Sequence, residues 1–262
     1  MQTISYFYAT DFSQFTNIIT AAVIAVLSVA ACLLAYKVLN AVPVKWLCDY
    51  DEEPSERHFG IRYRFKQSGI YTSALFAVLN ICCFGYFGVS VYSAFIFAIS
   101  FVLLLITLSD AKYTIIPDQF VIILGVICVA FAVTDIFCAK RFVSSWTDII
   151  LGAVCGGGTL LLINLLSKLV FKKDGMGFGD VKLMLALGAC LGFPRVFFAL
   201  LTSIAAAFVY IIFIVAKKSL KKDENSNYFP FGPFLCIGSL CNLIFAVLFD
   251  SLAAWYLSLI GF

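Results

Sequence analysis

The chain of 262 residues is 63% hydrophobic and 13% charged, with a mean hydropathy of +1.02 and a formal net charge of +3. Soluble chains carry about 25% charged and about 45–50% apolar residues, so this composition excludes a water-soluble domain and requires lipid as solvent. The modest positive charge is scattered among loops, so nucleic acid is not expected as a partner.

In chain order, the first apolar run covers about 17–38 and follows a start (Gln2, Thr3, Asp11) without Lys or Arg, unlike a cleavable signal peptide. Further runs cover roughly 70–90, 93–109, 119–138, 147–170, 181–194, 196–216 and 232–260. Most are long enough to cross about 30 Å of hydrocarbon, where only a helix satisfies its own backbone. The expected fold class is therefore all-α, a polytopic membrane helix bundle of about eight transmembrane helices. The division of 70–109 falls around Gly85 to Ser90, and another division falls near Phe193 and Pro194. The run at 181–194, with Gly188 and Gly192, is short for a span and is expected to be tilted, thin or buried among its neighbours. Two domains are expected: N-terminal membrane helices over 1–90 with a cytoplasmic loop at 41–69, and a membrane domain over 91–262.

When loops are assigned alternately to the two sides, Lys37, Lys45, the cluster Arg57 to Lys66, Lys112, Lys168 to Lys182 and Lys217 to Lys222 fall together. The other side holds only Lys140, Arg141 and Arg195. By the positive-inside rule the basic loops face the cytoplasm and both termini face outward. The loop 41–69 carries an acidic cluster (Asp49, Asp51, Glu52, Glu53, Glu56) and then a basic one (Arg57, Arg62, Arg64, Lys66), as in a solvated loop whose basic half rests on anionic head groups. The ten cysteines show no C-x-x-C spacing and lie mostly in apolar runs. They are expected to pack rather than bind metal, and His58 is the single histidine.

Two carboxylates stand out at helix ends on the basic side. Asp110, in LSDAKYTIIPDQF, follows the run ending at Leu108 and so occupies a helix C-terminus, where negative charge is disfavoured. That setting demands a function or a compensating partner. Pro117 predicts a turn over Ile115 to Asp118 that opens the next helix, and Asp118 is then favoured by the dipole at a helix start. Asp180, in KKDGMGFGDVKL, follows Gly175, Gly177 and Gly179 and leads into an apolar helix near Val181. Alternating glycines free the backbone and admit close approach of another segment; the structural alternative is an N-capping Asp. Two acids brought together in a partly desolvated site share one proton, as aspartic proteolysis requires. No G-x-S-x-G elbow and no H-E-x-x-H helix is present to support serine or zinc chemistry.

These residues resemble the bacterial type IV prepilin peptidases, GxGD-type aspartic peptidases of the leader peptidase family. The likeness rests on SDAKYTIIPD, on GMGFGDVKL, and on PFGPFL at Pro230 to Leu235, in the family's order. It implies a peptidase domain in 91–262 with Asp110 and Asp180 as the catalytic pair. Gly177, Gly179, Lys182, Pro117 and Asp118 would shape the loops or bind substrate, with no metal and no cofactor. It implies pilin-like or pseudopilin precursors as partners, their short basic leader cut after glycine at the cytoplasmic face of the bacterial inner membrane. The family's long cytoplasmic insert with paired C-x-x-C motifs is missing and Cys48 stands alone, so methyl transfer is not expected. Two other classes fit a polytopic chain with helix-end acids: a small ion- or proton-coupled transporter with a broken helix at Gly175 to Asp180, and an inert pilus-assembly scaffold.

Overall fold

The structure, a computed structural model, describes residues 15–48, 63, 67–138, 140–172, 176–218, 230–246, 248–249 and 251. The acidic and basic clusters of the 41–69 loop, Gly175 and the connector at 219–229 lie outside the described residues. Among the described residues every regular element is helical. The helices are α1 (Phe15–Ala41), a 3-10 turn (Val44–Leu47), α2 (Gln67–Phe87), α3 (Val91–Tyr113), α4 (Asp118–Cys138), α5 (Trp146–Phe171), α6 (Phe178–Leu191), α7 (Arg195–Lys218) and α8 (Gly232–Ile244). Eight α-helices thus replace the eight apolar runs. Six of them (α1 to α5 and α7) are long and apolar enough to cross a bilayer, whereas α6 has 14 residues and α8 has 13.

The chain divides into two compact units, with the boundary between Leu105 and Ile106. In the first, Asn40 turns both ends of its amide to Tyr63: it accepts from the Tyr63 N–H and donates to the Tyr63 carbonyl, each at 2.8 Å. The division expected around Gly85 to Ser90 is there, with Gly88 at φ +62° between α2 and α3.

The second unit is built around α6, which packs against α4, α5, α7 and α8. Almost every α6 residue from Asp180 to Leu191 is buried. Of the three expectations for this short run, burial among neighbours holds. Its closest neighbour is α5, and the reason is glycine. A Cβ on Gly152 would run into the Gly188 carbonyl, and one on Gly188 into the Gly152 carbonyl; a Cβ on Gly156 would come within 2.7 Å of the Met184 carbonyl. Small residues four apart let two backbones touch, which is how helices associate where lipid removes the hydrophobic drive. Large apolar side chains of α5 and α7, among them Leu162, Leu169, Phe208 and Val209, point outward, as expected of surfaces solvated by lipid.

The unit has two polar ends. At one, Asp135 of α4 is fully buried and accepts the backbone N–H groups of Arg141, Phe142 and Val143 at 2.7–3.0 Å. Asp148 of α5 accepts from the Phe193 N–H at 2.8 Å, and Arg195 stacks over Phe142. The other end gathers the C-termini of α3 and α5 with the N-termini of α4, α6 and α8, and both singled-out acids lie there.

Candidate active site

Asp110 sits one turn before the end of α3. The helix runs on past it to Tyr113 and closes when the Thr114 N–H donates to the Asp110 carbonyl at 2.8 Å, with Thr114 left-handed at φ +55°. A threonine in that region is strained by about 1–3 kcal/mol, a cost usually tolerated where the turn has work to do. Ser109 fixes the same turn through its hydroxyl, which donates to the Ile115 carbonyl at 3.1 Å. Pro117 then opens α4 as expected: its carbonyl accepts from Phe120 and Val121, and Asp118 is the first helical residue.

Asp180 lies in the first turn of α6. The N-cap is Gly177, whose carbonyl accepts the Asp180 N–H at 3.1 Å, so Asp180 is three residues into the helix and does not cap it. The helix starts at Phe178, three residues ahead of the expected Val181. The preceding loop is tied to α5 by the Met176 N–H, which donates to Asn164 Oδ1 at 3.3 Å.

Both carboxylates are buried, 5% exposed for Asp110 and 7% for Asp180, and each lies close enough to Cys236 of α8 for its charge to act there. Burial, and then the charge of Asp110, push the Asp180 carboxyl up to about 7. The glycines hold the motifs together by what they lack. A Cβ on Gly179 would stand 3.0 Å from Ile116 Cβ, and one on Gly232 would stand 3.2 Å from Ile116 Cδ1 and 2.7 Å from Asp110 Oδ2. Gly177 flanks the other acid, 3.6 Å from Cβ position to Asp180 Oδ2. Ile116 is therefore wedged between the glycine loop and the start of α8.

Lys182 and Asp118 form an ion pair of their own. Lys182 Nζ donates to both Asp118 oxygens at 2.8 Å, and the same ammonium lies 5.1 Å above the Phe178 ring. Each side chain is 31% exposed, so the pair pins α4 to α6 at their N-termini beside the buried acids. All seven residues singled out in the sequence thus gather at one end of the unit. Sequence reasoning missed Ile116, Asn164 and Cys236. Asn164 did leave a signal as an amide inside an apolar run, whereas an isoleucine in a turn and a cysteine in an apolar helix leave none.

The type IV leader peptidase family matches residues 96–212. Residues 96–212 belong to that family. The leader peptidase segment holds Asp110, Pro117, Asp118, Gly177, Gly179, Asp180 and Lys182, and it ends before the Pro230 to Leu235 element. Among curated proteins, a prepilin leader peptidase/N-methyltransferase of Aeromonas salmonicida (strain A449) is 38% identical over 113 residues, 43% of this chain and 37% of the relative. One of Pseudomonas aeruginosa is 33% identical over 164 residues, 61% of this chain and 51% of the relative. One of Pseudomonas putida is 28% identical over 214 residues, 79% and 66% of the two chains. The leader peptidase match therefore spans between about a third and two thirds of the length of these relatives. No solved structure matches the chain.

Proposed function

We propose that the chain is a membrane aspartic endopeptidase that removes the short basic leader of type IV prepilin-like precursors at the cytoplasmic face of the bacterial inner membrane, cutting after glycine. The observation that carries the reading is the pairing of Asp110 and Asp180, two buried acids from separate motifs that feel each other's charge. Asp180, which keeps its proton up to about pH 7, donates it to the scissile carbonyl oxygen and later helps the amine leave. Asp110, met by the Gly232 N–H donor, serves as the carboxylate that takes a proton from the attacking water. Burial keeps bulk water from screening either charge. Gly177 and Gly179 leave room for an extended peptide beside Asp180, while Asp118 and Lys182 brace the two helix starts.

The precursor as substrate is supported by the printed names of the relatives. The cytoplasmic face is supported by the charges of the second unit: Lys112, Lys168, Lys172 and Lys182 accompany the acids, and Lys140, Arg141 and Arg195 lie at the other end. The relatives' name also carries an N-methyltransferase activity. Because Cys48 stands alone where paired C-x-x-C motifs would be, the proposal here is peptidase activity without methyl transfer, and methylation of a cleaved pilin by the purified protein would overturn that part.

The test is co-expression with a candidate precursor. Leader removal disappears in Asp110→Asn and in Asp180→Asn, and persists in part in Asp118→Asn. Normal cleavage by either of the first two variants removes the pair from the mechanism.

A further inference from the structure

α8 begins without a side-chain cap. Its N-cap is Phe231, which has no side-chain oxygen, and its second residue is Pro233, which has no N–H. The first N–H groups of a helix have no intrahelical acceptor, so the Gly232 N–H needs one from elsewhere, and it is hydrogen-bonded to the Asp110 carboxylate. Asp110 needs a partner for the complementary reason, since it stands one turn from the negative end of α3. Two helix ends of opposite sign meet at one side chain. The bond leaves Asp110 Oδ2 buried and without a hydrogen-bond partner. The space beside that oxygen is open only because residue 232 is glycine, its Cβ position being 2.7 Å from Oδ2.

We propose that Gly232 is a positioning residue of the active site. Its N–H orients the Asp110 carboxylate, and its missing side chain keeps the place beside Oδ2 free for the attacking water. This rests on the reading of Asp110 as half of a catalytic pair. The other titratable groups facing Asp110 are Asp180 from α6 and Cys236 from α8, the latter hydrogen-bonded to Thr107 of α3.

The experiment uses the full chain in detergent or liposomes with a cleavable precursor. Gly232→Ala lowers kcat about a hundredfold, the scale of a misplacement near 1 Å, while KM stays within about twofold because the leader-binding surface is untouched. Replacing Gly232 by glycolic acid, which swaps the N–H for an ester oxygen and adds no bulk, also lowers kcat. It moves the acid limb of the pH profile to higher pH, since the charged form of Asp110 loses a donor. The ester variant decides the matter if Gly232→Ala does not fold. Gly158→Ala, whose Cβ meets nothing within 4 Å, serves as the control and keeps wild-type kcat. Adding Ile116→Val to Gly232→Ala, which removes the other close neighbour, does not restore the rate. Wild-type kcat in the ester variant, or restoration by Ile116→Val, overturns the role of Gly232 while the pair stands. Cleavage by Asp110→Asn overturns the pair itself and this inference with it.

Discussion

Asp180 differs from an ordinary aspartate in where it gives up its proton. Its carboxyl is raised from 3.8 to about 7, so it is neutral below that pH and charged above it. A pair that works with one proton between two acids therefore loses its acid as pH rises. Cleavage rates measured from pH 5.5 to 9 are expected to fall above about 7, approaching tenfold per unit; a flat rate up to pH 9 would rule Asp180 out as the proton donor. Gly179 makes a second prediction at this scale. An added methyl meets Ile116 at 3.0 Å, and Ile116 is itself held against α8. Gly179→Ala is expected to lower activity about tenfold or more, and Ile116→Ala in the same chain to recover part of it, because a trimmed neighbour gives way. Strictly additive losses would mean that Gly179 is needed for its backbone rather than for this contact. Asp110 shows what a sequence can carry at the scale of one residue. An acid at a helix C-terminus was a legible anomaly, and the demand for a compensating partner was sound. That the partner is the start of α8, more than a hundred residues on, depends on packing that no local pattern encodes.

The helices were legible because lipid imposes one rule on a long apolar run. The expected starts and ends of α4, α5 and α7 agree with the structure to within two residues. The seam between α5 and α6 was not legible. Gly152, Gly156 and Gly188 are spaced as small residues often are, but which helix each one meets is decided by the whole bundle. Here the backbones themselves are in the way, so Gly152→Ala and Gly188→Ala are each expected to cost about 1–3 kcal/mol. Thermal unfolding in detergent should show lowered midpoints for both and none for Gly158→Ala; unchanged midpoints would mean that the seam is looser than described. The Asp118–Lys182 pair joins α4 to α6 a few residues from the acids, and its partial exposure limits its worth to about 1 kcal/mol. That modest value is why Asp118→Asn is expected to slow cleavage without ending it.

At the scale of the whole molecule the question is which way the acids face. Within the second unit, charge divides by end. Lys112, Lys168, Lys172 and Lys182 accompany Asp110 and Asp180, while Lys140, Arg141 and Arg195 sit with Asp135 and Asp148 at the far end. The carboxylates of the far end are consumed by backbone N–H groups, three on Asp135 alone, and have a structural task that leaves nothing for catalysis. A leader that is basic and made in the cytoplasm reaches only the end that carries the unspent pair. Reporter fusions test this without reference to proteolysis: alkaline phosphatase joined after Lys140 is expected to be active, and a fluorescent protein joined after Lys172 to fluoresce. The reverse pattern would put the acids outside the cell, where no leader awaits them. The pair would then remain a proton-sharing pair, but its substrate could not be a precursor cut at the cytoplasmic face.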